Sequence, residues 1–123
     1  MPDPIVWWEL ATQDEERSVE FFRRVFGWPL EYDERLGFHV MAGEVGDEIN
    51  KISGGGIFTL RKPKLPFVAL YIRVTGIEEK AGQIEEYGGL IVEAPHAISE
   101  RAKICLFNDP SGVTWAMIES IAN

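Results

Sequence analysis

The stretches IVWWELATQDEERSVEFFRRVFGW (5–28) and FVALYIRVTGIEEKAGQIEEYGG (67–89) carry one pattern twice, 62 residues apart. Superposed at that offset, Val6 meets Val68, Leu10 meets Ile72, Thr12 meets Val74, Phe22 meets Ile84 and Gly27 meets Gly89. Each copy opens with a run of β-formers, followed by apolar residues at helical spacing; in the first copy these are Val19, Phe22, Val25 and Phe26. Gly27 ends the first helix and Trp28-Pro29 blocks its continuation; Gly88-Gly89 ends the second.

Working outward, further strands are expected over Pro29 to Asp33, Phe38 to Glu44 and Gly56 to Leu60, separated by Leu36-Gly37 and by the polar, glycine-rich stretch Gly46 to Gly55. Module one (1–62) therefore reads βαβββ. Arg61 to Pro66 is the expected linker. Module two (66–123) repeats the order, with strands at Phe67 to Val74, Leu90 to Ala94, Lys103 to Phe107 and Val113 to Ser120 and a helix at Ile77 to Tyr87. Asn108-Asp109-Pro110-Ser111-Gly112 has the chemistry of a tight hairpin. The fold class is α+β, in one domain of two tandem modules.

The 123 residues, with four Trp and seven Phe, suffice for one sizeable core, whereas either half alone would be marginal. Twelve Lys plus Arg against 20 Asp plus Glu give a net charge of -8, which repels nucleic acid and anionic lipid. No apolar run reaches the ~20 residues of a membrane span, and Met1-Pro2-Asp3-Pro4 lacks the features of a signal sequence, so a cytoplasmic location is expected. The lone Cys105, within an apolar run, reads as a buried strand residue rather than a reactive thiol.

The tandem βαβββ order, Gly-Trp after the first helix, Gly-Gly after the second and the late Asp-Pro-Ser-Gly hairpin together resemble the vicinal oxygen chelate superfamily of glyoxalase I, extradiol dioxygenases and bleomycin-resistance proteins. The resemblance spans nearly the whole chain and is strongest in Asp14 to Trp28 and Asn108 to Trp115. It implies sheets paired into a curved half-barrel with helices outside, a concave face holding a metal, a substrate or both, and a homodimer. The metal-ligand positions it implies fall at Trp7, near Ile57, at Ala69 and at Ala116, none of which offers a ligand atom, so no metal cofactor is expected at the standard site.

If Trp7 faces the cavity, strand alternation places Ile5, Glu9 and Ala11 beside it and Val6, Trp8 and Leu10 under the helix. Glu9 is then a candidate general base, a partner for a cation such as Arg73, or a metal ligand. In the matching strand Ala69, Tyr71 and Arg73 share the cavity face, with Val68, Leu70, Ile72 and Val74 toward the second helix. Arg73 could grip a carboxylate or phosphate, or form an internal ion pair; Tyr71 would supply an aromatic wall. The side that His39 faces depends on strand register, and His96, after Pro95, reads as an exposed loop residue. The run Gly54-Gly55-Gly56 does not open a helix, so it gives backbone room rather than a phosphate loop. The charged face Glu15 to Arg24 reads as solvated surface with ion pairs between turns.

Two functions follow. One is a metal-independent protein that binds a small apolar or aromatic molecule through Trp7, Phe58 and Tyr71, oriented by Glu9 and Arg73, with His39 a further candidate. The other is a metal-dependent lyase, isomerase or dioxygenase using Glu9, His39 and either His96 or Glu119 as substitute ligands.

Overall fold

The computed structural model describes residues 2–43, 54–60 and 66–121. The end of the expected third strand at Glu44, most of the glycine-rich stretch before Gly54 and the linker up to Leu65 lie outside the described residues. The elements run β1 (Ile5–Thr12), α1 (Glu15–Phe26), β2 (Glu31–Asp33), β3 (Phe38–Met41), β4 (Gly55–Thr59), β5 (Phe67–Arg73), α2 (Ile77–Glu86), β6 (Leu90–Ala97), β7 (Ala102–Asn108) and β8 (Thr114–Ser120). Both first strands and both helices open at the 62-residue offset, Ile5 with Phe67 and Glu15 with Ile77. The chain forms two compact units: Trp7–Ala69, and Leu70–Asn123 together with Met1–Val6.

In the Trp7–Ala69 unit the strand order is β2-β3-β4-β1. β4 runs parallel to β1, with Trp8 opposite Gly55 and Leu10 opposite Ile57, and β3 is antiparallel to β4, with His39 opposite Ile57. Helix α1 covers one face through a core of Val19, Leu30, Met41 and Ile57, joined by Trp8, Leu10, Phe22 and Trp28. Burying each such aliphatic side chain contributes about 1.5–3 kcal/mol. Phe22 stacks on Trp28 at 4.5 Å between ring centroids, and Trp8 packs on Trp28 at 5.2 Å.

The sequence explains the ends of α1. Asp14 Oδ1 accepts the Arg17 N–H at 3.1 Å, and the acidic first turn and basic last turn complement the helix dipole. Gly27, at φ 68, takes the left-handed conformation that a side chain disfavours and donates its N–H to Arg23 O. Of the expected ion pairs between turns, Glu20 with Arg24 forms, whereas Arg23 donates to the Leu30 carbonyl. β2 begins at Glu31 rather than Pro29, because Leu30 N–H turns back to Trp28 O at 2.9 Å and Pro29 has no N–H to offer a ladder.

In the other unit the order is β5-β8-β7-β6, with β5 and β8 parallel and the remaining pairs antiparallel. Val74, Ile77, Ala81, Cys105, Phe107 and Met117 form its core, supported by Ile72, Ile84, Ile91 and Trp115. Cys105 is fully buried, and burial pushes its thiol pKa up. Val68, expected toward α2, is instead 58% exposed and outside this core. β6 is longer than expected and carries His96 as a strand residue, not a loop residue. Irregularities between Ile91 and Glu93 and between Glu93 and His96 let the strand carry Pro95.

The hairpin after β7 is built around Asp109. Its Oδ1 accepts from Ser111 N (2.8 Å), Ser111 Oγ (2.5 Å) and Val113 N (3.2 Å), and its Oδ2 accepts from Trp115 Nε1 (3.0 Å). The Ser111 and Trp115 donors hold its carboxyl down at a pKa of about 2. Gly112, at φ 94, closes the turn.

Candidate functional site

The core of the Trp7–Ala69 unit fixes which side chains lie on its other face. Trp8, Leu10 and Ile57 belong to the α1 side, so alternation sends Trp7, Glu9, Gly56 and Phe58 to the opposite side. Phe38 lies there too: its ring is 5.9 Å from that of Phe58, and a Cβ on Gly56 would come within 2.6 Å of it. A Cβ on Gly54 would stand 2.9 Å from the Trp7 ring, whereas one on Gly55 would collide with Trp8 on the α1 side. The glycine run thus seats rings directly on backbone, giving it a concrete role in the close approach expected of it.

The result is a surface of three partly exposed rings, Trp7, Phe38 and Phe58, beside one carboxylate. Trp7 Nε1 donates to Glu9 Oε2 at 3.0 Å, which fixes the carboxylate alongside the indole. Trp7 is set apart from the other tryptophans. Trp8 and Trp28 pack with the α1 core, and Trp115 packs on the α2 core while donating to Asp109.

His39 is not on this face. Lying opposite Ile57, it points to the α1 side, where Nδ1 meets Glu15 Oε2 at 2.5 Å and its backbone N–H donates to the same oxygen at 2.9 Å. Tyr32 packs edge-on against the imidazole at 5.3 Å. Sequence could not choose this register, since Phe38-His39-Val40-Met41 has apolar residues of both parities.

In the other unit Tyr71 is buried opposite Ala116, and Arg73 is exposed opposite Ile118. Glu119 lies on the α2 side, accepting from Gly76 N–H at 2.5 Å and Ile77 N–H at 3.2 Å. His96 Nδ1 lies 2.8 Å from Ala94 O and Nε2 3.5 Å from Glu93. The substitute ligand set of Glu9, His39 and either His96 or Glu119 is therefore not assembled: Glu9 and His39 face opposite sides of one sheet, and Glu119 caps a helix.

The standard metal positions fare no better. Ala69, Ala116 and Trp7 carry no ligand atom, and Ile57 is a core residue flanked by Gly56 and Phe58. Among the described residues no group of three His, Cys, Asp or Glu side chains is placed to hold a metal ion. The residues at these positions do not fit the metal that the resemblance implies.

Strand alternation in the sequence puts Trp7 and Glu9 on one face and names Phe58 without a register argument, but it misses Phe38 and the packing of that ring on Gly56. Their signal was present, because a glycine on a strand marks a place where a neighbouring ring can lie on backbone. Among the described residues no helix is long and apolar enough to cross a membrane.

Residues 4–32 match the family described as bleomycin resistance protein-like N-terminal. No curated protein matches the chain in sequence. Among solved structures, a glyoxalase/bleomycin resistance protein/dioxygenase superfamily member from Vibrio splendidus is 20% identical, with a TM-score of 0.67 over 98% of this chain and 100% of that one. The Streptomyces coelicolor methylmalonyl-CoA epimerase in complex with 2-nitronate-propionyl-CoA is 18% identical, with a TM-score of 0.61 over 99% and 100%. The Mycobacterium tuberculosis methylmalonyl-CoA epimerase is 14% identical, with a TM-score of 0.60 over 96% and 88%. At these identities the likeness is one of fold, and it runs through both modules: this α+β chain of two βαβββ modules has the fold of the vicinal oxygen chelate superfamily, the glyoxalase, bleomycin-resistance and dioxygenase group.

Proposed function

We propose that the chain binds a small, flat, apolar or aromatic molecule on the face of β1, β3 and β4 opposite α1, without the superfamily's divalent metal. The observation that carries this reading is the surface of Trp7, Phe38 and Phe58 seated on a glycine strand, with Glu9 fixed beside it by the Trp7 indole. Ring faces recognise planar ligands by stacking, and a single anchored carboxylate orients a ligand that carries a donor. The match of residues 4–32 to a bleomycin resistance protein-like N-terminal family supports a small-molecule-binding reading. The metal-dependent alternative gains no observation, since its ligands are not brought together.

Tyr71 and Arg73 are separate candidates within the other unit, and the reading includes a homodimer, which light scattering would count directly. The test is a thermal-shift screen of planar aromatic compounds, with acyl-CoA esters as a separate arm because solved proteins of this fold bind them. The reading expects saturable stabilisation by at least one planar aromatic class, weakened by Trp7→Ala. Stabilisation by acyl-CoA esters alone, or by nothing, overturns it.

A further inference from the structure

A second concavity lies on the α1 side of the same unit, away from the aromatic face. It is an open cleft of about 410 Å³, lined by Asp14, Glu15, Glu16, Tyr32, His39 and Thr59 among others. That volume lies within the range of small-ligand sites. Its centre is an imidazole held in one orientation. Glu15 Oε2 accepts from His39 Nδ1, and Glu15 is itself positioned by Thr59, whose Oγ1 takes the Glu15 N–H at 3.3 Å. A carboxylate on Nδ1 requires the proton there, so in the neutral ring Nε2 is the acceptor. Nε2 has no protein partner among the described residues. No buried side-chain nitrogen or oxygen is unsatisfied among them either, so Nε2 keeps contact with solvent on a residue that lines the cleft.

The rest of the lining selects the ligand's charge. Asp14 and Glu16 are exposed carboxylates and no Lys or Arg lines the cleft, which disfavours carboxylates and phosphates. The Tyr32 ring stands beside the imidazole, an aromatic partner for a cation.

We propose that this cleft is a second binding site, for a small organic cation whose primary ammonium or amidinium group donates to His39 Nε2 within the Asp14 and Glu16 carboxylates. The site stands independently of the aromatic face. It assigns His39 a binding role on the side of the sheet that the superfamily resemblance does not point to.

The chain has only two histidines, so His96→Gln leaves a single imidazole to observe. Titrating that variant with phenethylammonium and with benzamidinium, while following the imidazole ¹⁵N and ¹³C resonances, reads the site directly. The expected result is a saturable shift of His39 Nε2 with affinity of about 1 mM, as suits a fragment-sized ligand. Benzoate should produce no such shift. The double variant Asp14→Asn, Glu16→Gln keeps the helix cap and should bind the cations about fivefold more weakly. Absence of a saturable shift with either cation, or an equal shift with benzoate, overturns the proposal.

Discussion

The last strand of each module ends against the N-terminus of that module's helix, but the two ends carry different chemistry. In module one Thr59 presents a hydroxyl to the Glu15 N–H; in module two Glu119 presents a carboxylate to the N–H groups of Gly76 and Ile77. The correspondence follows from register, since Leu10 pairs with Ile57 and its counterpart Ile72 pairs with Met117, two residues before Thr59 and Glu119 respectively. A charged remote cap replaces what Asp14 does locally at α1, because Gly76 makes no side-chain cap of its own. Thr59 donates to Glu15 Oε1 at 3.4 Å, while Glu15 Oε2 holds His39. One topology thus yields a closed, structural helix end in one module and an open, polar cleft in the other.

The ring positions differ in the same way. Trp8 on the first strand lies over Gly55 on the last, whereas two residues back from Ile72 and Met117 stand Leu70 and Trp115, so the large ring has changed strands. Gly55→Ala attacks this arrangement where it has least room and carries the largest expected effect. The new methyl would collide with the Trp8 ring and destabilise the fold by about 3 kcal/mol, read as a fall in the denaturant midpoint.

Glu119→Ala should come next, at about 2 kcal/mol, because two backbone donors lose a charged acceptor. Thr59→Ala, its counterpart, should cost about 0.5 kcal/mol. Equal losses in the two variants would dissolve the contrast between the helix ends. Asp14→Ala lies between them at about 1 kcal/mol, the ordinary value of a local cap, and Asp14→Asn should restore most of it.

Asp109 in the module-two hairpin contributes in a pH-dependent way. Its folded pKa of about 2 is below its ordinary 3.8. The unfolded chain therefore takes up this proton first as pH falls, and the contribution is fully present only above about pH 4. It declines as pH drops through 3.8 and is gone below about pH 2. The stability difference between wild type and Asp109→Asn, followed by chemical denaturation across that window, should shrink toward the acid end; a constant difference would assign the loss to geometry instead of charge.

The duplication, both helices and the hairpin were legible because each rests on local signals: repeated apolar spacing, an Asp cap, terminal glycines and Pro-Ser-Gly turn chemistry. Trp7 and Glu9 were legible on their face because β1 alternates cleanly. His39 was not, since Phe38 and Val40 on one parity and Met41 on the other are all apolar. Glu119 likewise declares its role only through register, 43 residues from Gly76. Pro95 concealed the length of β6, because irregular pairing can carry a proline that a regular ladder would reject.

The proposed binding face is tested most directly through the indole N–H signals of the chain's four tryptophans, with Trp7→Phe identifying its own. On titration with a planar aromatic ligand found by the thermal-shift screen, the Trp7 signal should shift saturably with the largest amplitude, and Glu9→Gln should alter its starting position through the indole hydrogen bond. A ligand that shifts Trp28 or Trp115 while leaving Trp7 unchanged would contradict the account.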